Sequence, residues 1–219
     1  MFTGIVEEKG KIHNIRQTGD AIVMTIEASK ILTDVKEGDS IAVNGVCLTV
    51  TYFNDKLFTV DLMPETVRHT SLKDLKVTSS VNLERAMAAN GRFGGHFVSG
   101  HVDGMGTIIT KRPEHNAVYY DIKISPELRK YMMMKGSICV DGTSLTIFGV
   151  SDNSVTVSLI PHTLEGTVLG EKGSGDNVNI ECDMLAKYIE GLLTNRIQTV
   201  ESTPGKITDN FLKEHGFNL

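Results

Sequence analysis

Ser40-Ile41-Ala42-Val43-Asn44-Gly45-Val46-Cys47-Leu48-Thr49-Val50 returns as Ser137-Ile138-Cys139-Val140-Asp141-Gly142-Thr143-Ser144-Leu145-Thr146-Ile147, with Asn44 and Asp141 97 residues apart. The same offset relates Pro64-Glu65-Thr66 to Pro161-His162-Thr163, and Val81-Asn82-Leu83-Glu84 to Val178-Asn179-Ile180-Glu181. Thr3-Gly4-Ile5-Val6 and Ser99-Gly100-His101-Val102 are 96 apart, so the second copy gains one residue further on. A period this long marks a duplicated domain, since solenoid repeats are shorter. Asn44-Gly45 and Asp141-Gly142 each sit between β-rich runs, as expected of two-residue hairpin turns that need positive φ.

Outward from these turns, each copy reads as about six short strands of period two. The first holds an opening segment Gly4 to Ile15, then Ala21 to Ile26, Ser40 to Val43, Val46 to Thr51, Leu57 to Leu62 and Ser80 to Glu84. The second holds Gly100 to Ile109, Val118 to Ile124, Ser137 to Val140, Thr143 to Val150, Val155 to Ile160 and Asn177 to Cys182. Six short strands with regular turns in each copy predict an all-β chain of two small closed or nearly closed barrels. Ser125-Pro126-Glu127-Leu128 reads as a capping serine with proline at the first helical position, and Pro64 and Pro161 open similar turns. Asn90-Gly91-Arg92-Phe93-Gly94-Gly95-His96 reads as the connection between copies. The expected divisions are a first barrel over 1–96, a second over 97–186, and a C-terminal helical segment and tail over 187–219. After Asp183, Leu185, Ile189, Leu192, Leu193 and Ile197 recur at helical spacing. This apolar stripe is expected to seat on the chain's own barrel or on the same helix in another subunit.

Bulk composition narrows the class. At 219 residues the chain accommodates two domains of about 100 residues each. A net charge of −5 and pI of 5.8 offer nothing to nucleic acid or an anionic membrane. Aromatic residues are 6% and Trp is absent, so a base-stacking surface is poorly supplied. No apolar run is long enough to span a bilayer, and no basic stretch with a hydrophobic run follows Met1. Three cysteines fit a reducing compartment better than a disulfide framework, so a cytoplasmic protein is expected.

Matched positions that differ are the candidates for chemistry. His101 stands where the first copy has Ile5, Asp141 for Asn44, Ser144 for Cys47 and Asp183 for Ala86. Cys47, after a tight turn, could act as a thiolate or pack as a small apolar residue. Cys139 and Cys182 fall inside strands and are expected to be buried. His96 and His101 are weak evidence for zinc, and no other metal-ligand spacing is present. There is no Walker loop, dinucleotide fingerprint or nucleophile elbow. The residues alone lead to two similar pockets, one chemically richer, and to no substrate.

These segments resemble the riboflavin synthase family. The resemblance runs through Met1-Phe2-Thr3-Gly4-Ile5-Val6, Val43 to Val50, Val81 to Ala86, Gly94 to Gly104, Asp141 to Thr146, Leu159 to Leu164 and Asn179 to Asp183. It implies tandem six-stranded Greek-key barrels and a dismutation of two 6,7-dimethyl-8-ribityllumazine molecules by four-carbon transfer. The products would be riboflavin and 5-amino-6-(D-ribitylamino)uracil, with no metal or redox cofactor. It also implies a homotrimer whose active site joins the first barrel of one subunit to the second barrel of a neighbour, and an association with lumazine synthase.

Carried over by residue, the resemblance puts Gly4, Ile5 and Val6 with Cys47, Leu48 and Thr49 and with Asp61, Leu62, Met63, Pro64, Glu65 and Thr66 in a first pocket. Gly100, His101 and Val102 with Ser144, Leu145 and Thr146 and with Ser158, Leu159, Ile160, Pro161, His162 and Thr163 make the second. Lys135 would reach a ligand of the adjoining subunit. His101 is the expected general acid/base, since imidazole titrates near neutrality. Ser144, with Thr146 nearby, would deliver or position the nucleophile, with Cys47 as rival and Asp141 and Asp183 as orienting groups. Two other readings stand beside this one: a non-catalytic lumazine- or flavin-holding relative, and tandem oligonucleotide-binding barrels.

Overall fold

The computed structural model describes residues 1–19, 21–201 and 209–216, with residues 18, 195–201 and 209–211 as backbone only. Met1–Met184 form one compact unit and Leu185–Leu219 a second. The first unit contains two closed antiparallel barrels. Strands β1 (Glu8–Thr18), β2 (Ala21–Glu27), β3 (Ser40–Val43), β4 (Val46–Phe53), β5 (Leu57–Leu62) and β6 (Ser80–Arg85) close in the order β1-β2-β5-β4-β3-β6. Strands β7 (Gly104–Glu114), β8 (Ala117–Lys123), β9 (Ser137–Val140), β10 (Thr143–Val150), β11 (Ser154–Leu159) and β12 (Asn177–Cys182) close in the matching order β7-β8-β11-β10-β9-β12.

The duplication extends to irregularities. The register shift between Ile12 and Asn14 recurs between Ile108 and Thr110, and that between Val50 and Tyr52 recurs between Ile147 and Gly149. Such bulges bend a strand sharply enough for a small sheet to close on itself. Helix α1 (Pro64–His69) follows β5, and α3 (Pro161–Gly166) follows β11. The single turn α2 (Pro126–Arg129) follows β8, with proline at its start as expected, but Ser125 makes no side-chain capping bond.

Each barrel has its own core. Ile12, Ile26, Ile41, Phe58, Val60 and Leu83 fill the first, and Ile108, Ile122, Ile138, Val155, Val157 and Ile180 the second, all at 1% exposure or less. Each such side chain contributes about 1.5–3 kcal/mol by leaving water. The alternation that buries them is the period-two pattern of the sequence.

The opening strands begin later than the sequence suggested, at Glu8 and Gly104 rather than Gly4 and Gly100. The residues ahead of them are used between the barrels. Phe2 and Val98 form an isolated antiparallel bridge, with Phe2 N–H donating to Val98 O at 2.7 Å and Val98 N–H to Phe2 O at 3.2 Å. Phe2, Ala42, Val98 and Cys139 make a buried cluster there, with Cys47 packed against it.

The two hairpin turns meet back to back. Asn44 and Gly45 have φ of 46° and 80°, Asp141 and Gly142 of 45° and 79°, the pair of left-handed residues such a turn requires. A Cβ on Gly45 would lie 2.7 Å from the Gly142 nitrogen, so only glycine allows this approach. Asn82 Nδ2 donates to Asp141 O at 2.7 Å, and Asn179 Nδ2 to Asn44 O at 2.8 Å, each reaching into the other barrel. The Asn82 and Asn179 amide oxygens accept from Val168 N–H at 2.8 Å and Ser71 N–H at 2.7 Å.

Helix α4 (Met184–Glu201) starts at the last residue of the first unit and runs on in the second, which also contains α5 (Asp209–Glu214). Along α4 the side chains of Leu185, Ile189, Leu192 and Leu193 are exposed; the Ile197 side chain lies outside the described residues. Among the described residues no helix is long and apolar enough to cross a membrane.

Candidate active site

The segments that precede the barrels cross over. Ser144 N–H at the start of β10 donates to Gly4 O at 2.7 Å, and Cys47 N–H at the start of β4 donates to Gly100 O at 2.9 Å. Gly4 therefore lies on the second barrel and Gly100 on the first. Gly4 and Gly100 have φ of +76° and +82°, and a Cβ on either would come within 3.0 Å of the nitrogen it accepts from. Val102, two residues on, packs against the first barrel's core. The resemblance kept each glycine segment with its own copy, whereas these backbone bonds set each beside the other copy's strand end. The two segments meet at the Phe2–Val98 bridge just ahead of these glycines.

The first site thus joins Gly100-His101-Val102 to Cys47, Leu48 and Thr49. The β4–β5 register brings the end of β5 (Asp61, Leu62), then Met63 and the start of α1 (Pro64, Glu65, Thr66), past the same strand end. His101 and Thr49 are exposed, Cys47 is half-buried, and Met63 is 71% exposed. The Glu65 carboxylate is paired within α1, to Arg68 Nη1 at 2.7 Å and His69 Nε2 at 2.6 Å.

The second site joins Gly4-Ile5-Val6 to Ser144, Leu145 and Thr146. The matching register brings Ser158, Leu159, Ile160, Pro161, His162 and Thr163 to it. Thr146, Ile5 and Ile160 are exposed, the last two at 49% and 55%. A cavity of about 490 Å³ lies on the first barrel's side of Ile5, lined among others by Thr3, Ile5, Glu7, Ser40, Glu84 and Arg85 and by no residue of β10, β11 or α3.

His96 is the site residue whose role the sequence did not reveal. Its Nδ1 lies 2.7 Å from Ser144 Oγ, and its backbone N–H donates to Thr3 O at 3.1 Å. Its Nε2 is buried without a hydrogen-bond partner among the described residues. Burial pushes the imidazole below its ordinary pKa, and the charge of Asp183 opposes that shift. A neutral ring carrying its proton on Nε2 can accept the Ser144 hydroxyl proton at Nδ1, which makes that oxygen a better nucleophile or base. Gly95 permits the approach, because a Cβ there would lie 3.1 Å from Ser144 Oγ and 2.0 Å from Thr3 O. The signal in the sequence was only a histidine beside two glycines.

Other expected residues sort differently. His101 follows Gly100 at the first barrel's strand end, whereas Ser144 lies at the start of β10 of the second barrel. Asp141 is fully buried in the seam, where Oδ1 accepts from Asn179 N–H at 2.8 Å and Oδ2 from Lys172 Nζ at 2.5 Å. Its partners are architectural, and Asn44 does the same for Asn82 N–H at 2.7 Å. Lys135 is exposed with φ of 64°, its ammonium 4.5 Å from the centre of the Phe148 ring. Cys139 and Cys182 are buried, as expected, and burial together with the fields of Glu181 and Glu84 holds the Cys139 thiol well above its usual range.

Two matches to the lumazine binding domain cover residues 3–86 and 99–183. Over 217 residues, spanning 99% of this chain and 100% of the relative, the sequence is 59% identical to riboflavin synthase of Bacillus amyloliquefaciens. The chain belongs to the riboflavin synthase family. It is 43% identical to the family member of Saccharomyces cerevisiae, over 98% of this chain and 97% of that one. Among solved structures, LumP in complex with 6,7-dimethyl-8-(1'-D-ribityl) lumazine superposes at a TM-score of 0.75 with 28% identity, covering 83% of this chain and 99% of that one. LumP complexed with riboflavin gives 0.77 at the same identity and coverage. Like other members of the riboflavin synthase family, the chain is an enzyme.

Proposed function

We propose that the protein makes riboflavin by dismutation. One 6,7-dimethyl-8-ribityllumazine gives a four-carbon unit to a second, yielding riboflavin and 5-amino-6-(D-ribitylamino)uracil. The observation that carries this is the pair of equivalent strand-end sites, one with Cys47 and His101 and one with Ser144 and His96. Two copies of one substrate need two similar sites that differ where donor and acceptor differ.

Each site is open on one side and edged with exposed apolar residues, Met63 and Ile5 among them. We read these as half-sites that close when the first site of one subunit faces the second site of a neighbour in a homotrimer. The exposed leucines and isoleucine of α4 suit the same assembly. Holding two flat substrates face to face then supplies much of the rate. Backbone groups at the strand ends suit the pteridine edge, while the Thr49, Thr66, Ser158 and Thr163 hydroxyls and the Glu65 carboxylate suit the ribityl chains. Lys135 would reach the ligand of the adjoining subunit.

In the proposed reaction a base removes a proton from the acidic C7 methyl of one lumazine, and a nucleophile or water opens the ring of the other. His101 is the acid/base at the first site. Ser144, made more basic by neutral His96, delivers or positions the nucleophile at the second, with Thr146 beside it and Asp183 setting the field on His96. Cys47 is the alternative nucleophile. The work belongs in the cytoplasm, which the three free cysteines suit, and association with lumazine synthase is part of the same proposal.

A second reading is a protein that holds lumazine or flavin without converting it, as LumP binds these ligands. The presence of Cys47, His101 and Ser144 together favours the enzyme. Incubation with the lumazine at catalytic protein concentration separates the two. Riboflavin fluorescence growing over many turnovers is expected, and bound, unconverted lumazine would contradict the proposal.

A further inference from the structure

We propose that Glu84 and Glu181 are crossed positioning residues: each belongs to one barrel and holds the glycine segment that shapes the other barrel's site. Glu84 is on β6 of the first barrel. Its Oε1 accepts from Thr3 N–H at 2.7 Å and Thr3 Oγ1 at 2.8 Å, and its Oε2 from Gly4 N–H at 3.0 Å. Gly4 in turn accepts from Ser144 of the second barrel. Glu181 is on β12 of the second barrel. Its Oε1 accepts from Ser99 N–H at 2.6 Å and Ser99 Oγ at 2.7 Å, and its Oε2 from Gly100 N–H at 2.9 Å. Gly100 accepts from Cys47 of the first barrel.

The brace reaches one residue further. Thr3 Oγ1 accepts from Ile5 N–H at 3.3 Å, and Ser99 Oγ from His101 N–H at 3.2 Å. Each carboxylate therefore fixes the residue that faces the site through an intervening hydroxyl. Glu84 and Glu181 are 5% and 2% exposed, and the groups on their oxygens are all donors. A carboxylate accepts at both oxygens and offers no donor of its own. A glutamine of the same shape turns one oxygen into an NH₂ and sets donor against donor, at Gly4 or Gly100 or at the Thr3 or Ser99 pair. The loop must then shift, and with it the backbone contact to Ser144 or Cys47.

This inference rests on the reading of the two strand ends as lumazine sites, and the test separates the two. Cys47 is the half-buried thiol under Gly100, whereas Cys139 and Cys182 are buried, so iodoacetamide in the absence of ligand reads the Glu181 brace by itself. Full-length Glu181→Gln should alkylate at Cys47 several-fold faster than wild type, and Glu84→Gln at the wild-type rate. Equal rates in all three, or faster alkylation in Glu84→Gln alone, would overturn the crossed brace whatever the ligand. Equilibrium binding of riboflavin and of 6,7-dimethyl-8-ribityllumazine then reads the sites. Glu181→Gln should lose tenfold or more in affinity at one site and lose ligand protection of Cys47. Glu84→Gln should lose the other site and keep that protection, and a carboxylate restored as Glu84→Asp should recover part of the loss. Equal weakening of both sites by either variant, in step with thermal stability, would mean a general structural role and refute the proposal. If wild type binds neither ligand while the alkylation pattern holds, the lumazine reading fails and the brace stands.

Discussion

Gly4 O accepts the Ser144 amide proton at 2.7 Å, so a residue before the first barrel completes the strand end of the second. The reciprocal bond from Cys47 to Gly100 makes the arrangement pseudo-two-fold. Neither site is built by one copy alone. The exchange explains why the connection between barrels carries site residues rather than serving as a spacer.

His96 on Ser144 leads to a pH prediction. The imidazole is held below its ordinary value by burial, against the opposing charge of Asp183. The neutral form acts, so the acid limb of kcat should fall below the usual histidine range. Asp183→Asn removes the field that favours the imidazolium and should move this limb to lower pH still. His96→Ala should cost about 10²–10⁴ in kcat. Steady-state pH profiles check all three.

Asp141 should prove structural. Asp141→Ala leaves Asn179 N–H without its buried acceptor and the Lys172 ammonium, still bonded to Asn177 O, without its counter-charge, and should cost about 3–5 kcal/mol. Asp141→Asn keeps an acceptor for Asn179, as Asn44 does for Asn82, and should cost less while turning over per folded molecule as wild type does. Urea unfolding and kcat measured on the same preparations separate the two roles.

Glu7 makes stability acid-sensitive. Burial pushes its carboxyl up, but the Arg85 hydrogen bonds, with Nε at 3.1 Å and Nη2 at 2.5 Å from its oxygens, outweigh that and hold it below the usual range. A depressed carboxylate contributes its stability above the unfolded value and loses it as pH falls through the folded one. Glu7→Gln should therefore cost about 1–2 kcal/mol at pH 7. The difference from wild type should shrink below pH ~4.5 and vanish once both states are protonated.

The back-to-back turns set a steric limit. Gly45→Ala puts a Cβ 2.7 Å from the Gly142 nitrogen at a φ of +80°, and should destabilise by about 2–4 kcal/mol. Thermal unfolding checks this, and an unchanged midpoint would mean the barrels can separate freely.

Much of this was legible in the residues. Asn44-Gly45 and Asp141-Gly142 specify their turns locally, and period-two runs specify the strands, because side-chain burial alternates with the pleat. The start of β1 was misplaced because Gly4-Ile5-Val6 is apolar enough to pass for strand, while its hydrogen bonds go to Glu84 and Ser144. The exchange was not legible, since aligning the copies says which residues are equivalent and not which barrel each touches. Comparing copies singled out Asp141 without showing its partner: the substitution for Asn44 is matched by Lys172 where the first copy has Leu75, a paired change inside the seam. His96 drew attention only as weak evidence for zinc, because its pairing with Ser144 joins residues distant in sequence.

Mixed trimers test the central claim most directly. His101→Ala disables the first site and Ser144→Ala the second, so each homotrimer should be nearly inactive. If the segments are exchanged and sites close between subunits, unfolding and refolding the two variants together should restore roughly a quarter of wild-type riboflavin formation, from interfaces where both halves are intact. If His101 and Ser144 instead served the same half-site, no interface in the mixture would be whole, and the mixture would stay as inactive as its parts.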